Sequence, residues 1–362
     1  MKKSTGTLPT PQIVAGIVAT AAACLLISRR SGAVPSRQVV VITGGSRGLG
    51  LALAHRFGRA GARLVLAARD PEELDRARQA LLGEASVQGP KGSVQGSKGS
   101  VQASVQSPDD ILLVPTDITD QAQVQRLLDQ AFSHFGRIDV LINNAGIIEV
   151  GPIENQSLVA FQRAMDTNFF GALHTILAAL PRLLAQPRIN GRRASIVNIS
   201  SIGGKVPVPH LLPYVASKFA LTGLSEGLNA ELRHKGIRVT TVCPGLMRTG
   251  SSIQAQFTGQ AEKEFKWFSL GATTPGLAAS TTTAANKIFN ATAAGCAEIT
   301  ITPQAWLAAR IVGATPGVSQ FVAAVANKYI LPAPSTHPAP LTPGAHFQKT
   351  KRTILEQAHN QL

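Results

Sequence analysis

The feature that most constrains the fold is an alternation that begins at Val39. Short runs of β-branched residues alternate with stretches in which apolar residues recur at helical spacing. Most of the short runs are apolar throughout, as expected of parallel strands that are covered on both faces. Seven runs have this character, at residues 39–43, 63–68, 111–115, 140–142, 195–199, 238–242 and 298–301.

Helical stretches separate these strands and are expected to begin near Leu49, Pro71, Asp120, Ser157, Pro213 and Ala278. Repeated strand–helix–strand units imply right-handed crossovers between parallel strands. Residues 37–302 are therefore predicted to form an α/β domain, a doubly wound, mostly parallel, seven-stranded Rossmann sheet with helices on both faces.

One segment breaks the alternation. Between residues 83 and 110 the triplet Ser-Val-Gln recurs, and Gly, Ser, Lys and Gln dominate the composition. One valine per repeat is too little to build a packed seam, so we predict a disordered, low-complexity insertion. Such an insertion costs little, because the entropy of loop closure grows slowly with length.

Residues 1–36 contain an apolar run from Ile13 to Ile27, preceded by Lys2 and Lys3 and closed by Arg29 and Arg30. The run is shorter than the roughly 20 residues of a spanning helix. A cleaved signal peptide is one interpretation, but the two arginines stand where small residues should lead to a cleavage site. We favour an uncleaved membrane anchor with the domain of residues 37–302 facing the cytoplasm; without an anchor the protein would be cytoplasmic. Charge flanks both ends of the run, so charge bias does not set its orientation.

Residues 303–331 form a predicted helical extension of the domain. Val318, Phe321, Val322 and Val325 recur at the spacing of an amphipathic helix. This helix would either dock on the domain's own surface or lie in a membrane interface together with the N-terminal segment. Residues 332–362 are rich in proline and are predicted to be flexible.

The formal net charge is +15, yet no run of Lys and Arg has the length expected for binding nucleic acid. We therefore expect no nucleic-acid partner, and either a solvated basic surface or attraction to an anionic membrane. The three cysteines, Cys24, Cys243 and Cys296, lack metal-ligand spacing and are odd in number. We expect no metal site and no disulfide framework.

A glycine-rich turn follows the first predicted strand and opens the first helix. Glycines at these positions permit a tight turn and close approach of a pyrophosphate, and the helix N-terminus offers free N–H donors. Dinucleotide contacts are expected from Gly44, Ser46, Arg47, Gly48, Leu49 and Gly50.

The end of the second strand indicates which dinucleotide is bound. No acidic residue stands at the tip to hold a ribose 2′-hydroxyl, and Asp70 is explained as the cap of the helix that Pro71 begins. Arg69 and Arg47 are well placed for a 2′-phosphate, so we predict NADP(H). The alternative is that both arginines are ordinary surface charges.

Tyr214 and Lys218 are four residues apart and therefore lie on one face of a helix. An ammonium beside a phenol, together with an oxidised nicotinamide ring, would lower the pKa of the phenol toward neutrality. Ser201 ends a predicted strand just upstream and is expected to hydrogen-bond a substrate oxygen, although capping alone would also explain it.

Motifs of this kind follow one another in a characteristic order, namely Thr43-Gly44-x-x-x-Gly48-x-Gly50, Asn143-Asn144-Ala145-Gly146, Ser201, Tyr214-x-x-x-Lys218 and Pro244-Gly245. The set resembles the single-domain branch of the short-chain dehydrogenase/reductase family over residues 37–302. The resemblance implies a hydride transfer between nicotinamide and a carbonyl/alcohol pair, with Tyr214 as general acid in reduction and general base in oxidation.

The resemblance also implies roles for other residues. Lys218 would bind the nicotinamide ribose and lower the pKa of Tyr214, and Ser201 would orient the substrate oxygen. Asn168 would hold a water that completes a proton relay to Lys218. Further dinucleotide contacts would come from Asp117 at the adenine, from Asn144, Ala145 and Gly146, from Pro244 and Gly245, and from Thr249 at the carboxamide.

The predicted substrate is small and hydrophobic, because residues 202–212 and 246–271, the segments expected to line the pocket, are apolar. A homodimer or homotetramer through the helices of Asn168 and Tyr214 is implied by the resemblance. Two other functions stay open, a non-catalytic NADP-binding regulatory protein and a dehydratase or epimerase on the same scaffold.

Overall fold

The computed structural model describes residues 37–83, 103–248, 250–273, 278–336 and 340–347. Seven strands form a central sheet in the order β11-β7-β6-β4-β1-β2-β3, and every neighbouring pair is parallel. These strands are β1 (Val39–Thr43), β2 (Arg63–Ala68), β3 (Ile111–Pro115), β4 (Val140–Asn143), β6 (Ala194–Ile199), β7 (Ile237–Cys243) and β11 (Glu298–Thr300). The predicted doubly wound Rossmann sheet is confirmed.

Eleven helices surround the sheet in the described ranges. They are α1 (Gly48–Gly58), α2 (Pro71–Leu82), α3 (Gln121–Phe135), α4 (Leu158–Met165), α5 (Gly171–Ala185), α6 (Leu212–Leu232), α7 (Ser251–Gln254), α8 (Ala261–Thr273), α9 (Thr281–Ala294), α10 (Pro303–Ala314) and α11 (Pro316–Tyr329). A π-helical turn, Asp166–Phe170, joins α4 to α5. Shorter strands, β5 (Glu149–Val150), β8 (Met247–Arg248), β9 (Gln256–Phe257), β10 (Ala279–Ser280) and β12 (Thr342–Pro343), pair outside the main sheet.

Six of the seven strands, all but β11, contribute to two hydrophobic cores. In β1, Val40 and Ile42 pack with α1, α2 and α9 on one face, and Val39 and Val41 pack with α3, α5 and α6 on the other. Successive side chains of a strand point to opposite faces. Because both faces are covered by helices, both sets must be apolar, which explains the unbroken hydrophobic runs in the sequence.

Polar caps set the starts of the helices. The carboxylate of Asp70 accepts hydrogen bonds from the backbone N–H groups of Glu72 and Glu73 at the start of α2, which confirms its predicted capping role. Asp120 caps α3 and Ser157 caps α4 in the same way. The helix expected near Ala278 begins three residues later, because Ser280 caps it instead.

The last part of the predicted insertion is ordered. Residues 84–102 lie outside the described residues, but 103–110 pack against the domain, so the prediction of disorder is wrong for them. The N–H of Ser104 donates to the carbonyl of Leu81, and Val105 is buried against Gly58, where any larger residue would clash with it. Burial of the valine offsets the entropy lost when this stretch is ordered.

Part of the Pro-rich C-terminal segment is also docked on the domain. β12 pairs antiparallel with β9, and the ring of Phe347 lies 5.4 Å from that of Phe265 between centroids. The predicted flexibility is therefore wrong for residues 340–347. Proline is tolerated in such an edge strand, and the aromatic contact fixes the end of it.

The helical extension is present as α10 and α11. No residue of α11 is buried. In the described ranges, one helical stretch, Leu158–Ala185, is long and apolar enough to cross a membrane. Several of its residues, including Ile176 and Leu183, pack in the core beneath the sheet, as in a helix of a globular domain. The predicted N-terminal anchor, residues 1–36, lies outside the described residues.

Candidate active site

The glycine-rich turn between β1 and α1 has the geometry that its spacing predicts. Gly44 and Gly48 have φ angles of 63° and 56°, a region that favours glycine. A Cβ on Gly50 would lie 2.0 Å from the carbonyl oxygen of Gly44. Unlike α2 and α3, α1 has no side-chain cap, and its first turn contains no acidic residue. Its first N–H groups can therefore face an anion.

A second loop, at the end of β4, supports this turn. The amide of Asn144 donates to the carbonyl oxygens of Thr43 and Gly44, at 3.0 Å each. The hydroxyl of Thr43 in turn accepts hydrogen bonds from the N–H groups of Asn144 and Ala145. The two loops thus hold each other in place at one edge of the sheet.

The predicted 2′-phosphate residues lie at the mouth of the same cleft. Arg69 is exposed, and Nη1 of Arg47 donates to Oε1 of Glu73 at 2.5 Å. Oγ of Ser46 donates to Oε2 of Glu73 at 2.9 Å. Sequence reasoning missed this role of Glu73, because its position in the first turn of α2 already explained it as a favourable helix residue. Asp117, the predicted adenine contact, accepts hydrogen bonds from Thr119 and lines the cleft.

The predicted proton-transfer residues meet on one wall of the cleft. Tyr214 and Lys218 lie on α6, with Nζ of Lys218 5.8 Å from the centroid of the phenol ring. Ser201 follows β6 and lies within hydrogen-bonding reach of Tyr214. Nζ of Lys218 donates to the carbonyl of Ile199 at 2.8 Å. The strand end and the helix are thereby tied together at the reacting groups.

Burial dominates the electrostatics of this wall. It raises the pKa of the Tyr214 phenol, against a hydrogen bond from Ser201 that lowers it. It lowers the pKa of Lys218 to about 8. The lowered tyrosine pKa predicted from the Tyr-Lys spacing is therefore not produced by the chain's own residues, since removal from water disfavours the charged form of each group.

Asn168 lies in the π turn and is almost fully buried. Its amide oxygen accepts from the N–H of Ile147, and its amide nitrogen donates to the carbonyl of Ile147 and to Oγ of Ser217. A Cβ on Gly146 would lie 2.9 Å from the Asn168 oxygen and 3.5 Å from Nζ of Lys218. Asn168 thus clamps the loop after β4 against α6, and only glycine fits between it and Lys218.

A buried chain of hydrogen bonds crosses the middle of the sheet. It runs through Thr175, Asn143, Asn198, Ser225 and Thr241, with links of 2.5, 2.9, 3.0 and 2.8 Å. The sequence signal was a polar residue within each of three apolar strands. Satisfied networks of this kind favour one strand register, because an unpaired buried amide is costly.

One cleft of about 1410 Å³ runs from the glycine-rich turn to the wall of Ser201, Tyr214 and Lys218, and Arg69 and Asp117 also line it. Pro244 and Gly245 also line it, and Thr249 lies outside the described residues. The part beyond Tyr214 is walled by apolar side chains from the two predicted segments, among them Val208, Leu211, Leu246, Met247, Trp267 and Phe268.

Sequence comparison identifies the family. The family model for short chain dehydrogenase matches residues 38–106 and 93–258. The chain belongs to the short-chain dehydrogenase family. It is an oxidoreductase family whose members bind a nicotinamide cofactor, and the glycine turn and cleft described above fit such a group.

Relatives in the family show how far the similarity extends. The chain is 36% identical over 218 residues to "Dehydrogenase/reductase SDR family protein 7-like" of Anopheles gambiae, which is 60% of this chain and 62% of that one. It is 35% identical over 219 residues to "Dehydrogenase/reductase SDR family member 7B" of Bos taurus, covering 60% of each. The matches therefore span less than two thirds of the length of these relatives.

Solved structures of short-chain dehydrogenases share the fold. A short chain dehydrogenase/reductase from Burkholderia phymatum in complex with NAD has a TM-score of 0.65 and 26% identity, covering 78% of this chain and 95% of that one. Levodione reductase has a TM-score of 0.60 at 24% identity, covering 75% of this chain and 98% of that one.

Within this short-chain dehydrogenase, an unpredicted polar cluster joins the loop of residues 205–211 to α8. Nδ1 of His210 lies 2.8 Å from Oε1 of Glu264, and the indole of Trp267 donates to Oε2 of Glu264 at 2.5 Å. His210 and Glu264 are buried, and His210 has a φ of 63°. The cluster holds the indole of Trp267 against the substrate side of the cleft.

Proposed function

We propose that the protein is an NADP(H)-dependent oxidoreductase acting on a carbonyl/alcohol pair of a hydrophobic substrate, with Tyr214 as the general acid and base. The observation that carries the proposal is the convergence of Ser201, Tyr214 and Lys218 on one wall of the cleft that begins at the glycine-rich turn. A binding protein that only senses a dinucleotide has no use for this second set of residues.

The chain has residues for each part of the dinucleotide. A bound nicotinamide cofactor would donate or accept the hydride. The turn from Gly44 to Gly50 would hold the pyrophosphate, Asp117 the adenine and Lys218 the nicotinamide ribose. Arg47 and Arg69 would bind a 2′-phosphate through charge-assisted hydrogen bonds, which is the basis for proposing NADP rather than NAD.

In reduction, Ser201 would hydrogen-bond the carbonyl oxygen and Tyr214 would protonate it as the carbonyl carbon receives the hydride. Because burial raises the pKa of Tyr214, the phenol carries its proton at neutral pH, as a general acid must. Lys218, with its pKa lowered to about 8, is still mostly cationic at pH 7 and favours the phenolate left behind. Asn168 keeps the loop and α6 in register around these groups.

The test is consumption of NADPH with a panel of aldehydes, ketones and lipid carbonyls by the full chain and by Tyr214→Phe. Loss of the hydroxyl should lower kcat by a factor of about 10²–10⁴ while NADPH binding is retained. Tight NADPH binding without turnover on any substrate would instead favour a regulatory protein. A product formed without net NADPH oxidation would favour a dehydratase or epimerase.

We further propose that the protein is attached to a membrane with the catalytic domain on the cytoplasmic side. The helical hairpin of α10 and α11 supports attachment, because its large apolar side chains are about half exposed or more. These residues are Trp306, Leu307, Ile311, Val318, Phe321, Val322, Val325, Tyr329 and Ile330. Tryptophan and tyrosine are the aromatic residues favoured at a membrane–water interface.

The charge of this hairpin fits a lipid surface with anionic headgroups. No aspartate or glutamate occurs between Glu298 and Glu356, whereas Arg310 and Lys328 lie on the helices. The segment after α11 returns to the substrate side, where the Gln260 amide donates to the carbonyl of Ala333 beside α8. The hairpin thus leads from the proposed lipid surface toward the hydrophobic part of the cleft.

Fluorescence of Trp306 tests this attachment in the full chain. Vesicles of brominated phosphatidylcholine should quench it, and Trp306→Phe should remove the quenched component. Binding of vesicles without quenching would mean that the N-terminal segment alone attaches the protein.

We also propose that the protein forms a homodimer or homotetramer through α4, α5 and α6. Exposed apolar residues on these helices, among them Leu158, Leu177 and Phe219, support this assembly. Light scattering on the full chain should give a multiple of the chain mass of 37.9 kDa, and Leu177→Asp should shift it toward the monomer.

A further inference from the structure

The amino-terminal edge of the central sheet, opposite the cleft, is strongly basic. Five strands begin beside an arginine: Arg37 precedes β1, Arg63 opens β2, Arg137 precedes β4, Arg193 precedes β6 and Arg238 is the second residue of β7. In a parallel sheet these strand starts lie along one edge. The proposed oxidoreductase chemistry uses none of them.

A cavity of about 550 Å³ opens at this edge. Five arginines line it, Arg37, Arg63, Arg137, Arg192 and Arg193, and Asp139 is the one acidic residue in its wall as the structure describes it. Five guanidinium groups against one carboxylate leave a large excess of positive charge in a small, partly enclosed space.

Nearby carboxylates neutralise only part of the positive charge of these arginines. Arg137 forms an ion pair with Asp139 at 2.7 Å, and Arg37 reaches Asp110 only at 3.7 Å. Arg192 donates to the carbonyls of Thr292 and Ala293 at the end of α9. These carbonyls accept hydrogen bonds from its Nη1 but carry no full charge.

The guanidinium of Arg63 can still donate hydrogen bonds to a ligand. Its Nη2 donates to the carbonyl of Arg37 at 3.4 Å. In the part of the chain that the structure describes, its Nε is buried and has no hydrogen-bond partner. An unsatisfied buried donor is costly, and it costs least where a ligand supplies the acceptor.

We propose that this arginine-lined cavity binds a phosphate group. The planar guanidinium fork matches two phosphate oxygens, and several forks can share one phosphate. Ile189, Phe57 and Phe289 complete the wall, so a phosphate ester with an apolar portion fits better than a bare polyanion. The site is independent of the dinucleotide site and of the proposed reaction.

The phosphate would come from a lipid headgroup or from a free phosphate ester, and the spacing of the chain favours the headgroup. Arg37 stands ten residues after the apolar run that ends at Ile27. Ten extended residues span about 35 Å at most. If that run lies in a membrane, the basic edge is held close to the lipid headgroups.

The first arm of the test uses inorganic phosphate and calorimetry on the full chain, with the dinucleotide site saturated by NADP⁺. Arg37→Gln/Arg193→Gln should bind phosphate at least about tenfold more weakly than wild type. The matched control, Arg76→Gln/Arg126→Gln, removes two exposed arginines elsewhere and should bind as wild type does. Arg63→Lys keeps the charge and loses the fork, so it should weaken binding without unfolding the domain.

The second arm distinguishes the two sources by flotation with phosphatidylcholine vesicles that contain or lack phosphatidic acid. A gain in bound wild type with phosphatidic acid, absent in Arg37→Gln/Arg193→Gln, identifies a lipid headgroup. Phosphate binding in the first arm without that gain identifies a free phosphate ester. The proposal is overturned if Arg37→Gln/Arg193→Gln and the control Arg76→Gln/Arg126→Gln bind phosphate with equal affinity, or if neither arm shows binding.

Discussion

Nη1 of Arg47 lies 2.5 Å from Oε1 of Glu73 at the mouth of the cleft. The same carboxylate accepts a hydrogen bond from Ser46. Two of the residues proposed to hold the cofactor are thus engaged by an acidic side chain of the protein itself. A carboxylate in this position competes with any phosphate for the same donors.

We therefore expect Glu73→Gln to favour NADPH. Removal of the carboxylate charge frees Arg47 and should lower the KM for NADPH about three- to tenfold, with little change for NADH. Steady-state kinetics with both cofactors measures this. Glu72→Gln, one position earlier on exposed surface, is the control. An equal change for NADH and NADPH would show that Glu73 acts on folding and not on the 2′-phosphate.

The buried charge of Lys218 should lower the free energy of unfolding, although we expect turnover to require this residue. Its pKa falls from 10.5 to about 8 on burial, so holding its charge costs about 3 kcal/mol at pH 7. Lys218→Met should abolish turnover and yet unfold at a higher urea concentration. The net gain in the free energy of unfolding should be roughly 2 kcal/mol, because removal of the buried charge is partly offset when the carbonyl of Ile199 loses its hydrogen-bond donor.

The stability that Lys218→Met gains over wild type should decrease as the pH rises. Between pH 8 and 10.5 the unfolded chain binds more protons at Lys218 than the folded chain does, so wild-type stability rises with pH in this window. The advantage of Lys218→Met should shrink by more than half between pH 7 and about pH 10. Lys266→Met, at an exposed lysine, is the control. A pH-independent difference would contradict the lowered pKa.

Gly50→Ala should disable the phosphate turn. Its new methyl would lie 2.0 Å from the carbonyl oxygen of Gly44, so the backbone of the turn must move. We expect NADPH affinity to fall at least about tenfold, as measured by fluorescence titration. Gly227→Ala on α6 is the control, because its methyl group would lie in open space. It should leave NADPH binding intact and raise the free energy of unfolding by up to about 1 kcal/mol.

Gly344→Ala should release the C-terminal strand. A methyl there would lie 1.9 Å from the carbonyl oxygen of Ser252, and β12 would have to leave β9. Because Phe347 packs on Phe265 of α8, whose residues wall the cleft, the KM for a hydrophobic substrate should rise several-fold. Limited proteolysis should cut the freed segment. Gly317→Ala, in open space on α11, is the matched control, and identical proteolysis of the two variants would refute the contact.

The strands and the doubly wound parallel sheet were predictable because the runs that form them are local patterns. Continuous apolar runs predicted strands covered on both faces, and Asp70 before Pro71 predicted a helix start. The pairing of Tyr214 with Lys218 was predictable in the same way, since the two residues are one helical turn apart.

Errors arose where a contact joins distant parts of the chain. The low-complexity composition around residue 104 and the prolines after 331 predicted disorder, yet Val105 is buried beside Gly58 and Phe347 packs on Phe265. The raised pKa of Tyr214 in the chain alone was likewise not predictable, because burial depends on everything packed around the ring and not on the lysine one turn away.

By itself the sequence determined the Rossmann architecture, the glycine turn and the placing of Tyr214 and Lys218 on one helix face, because periodicity, capping and motif spacing act over a few residues. Only the tertiary structure decided that Glu73 engages Arg47, that burial raises the pKa of Tyr214, and that five arginines at the starts of four strands line one cavity. Each of these depends on distances between residues far apart in the chain, and such distances exist only once the sheet has formed.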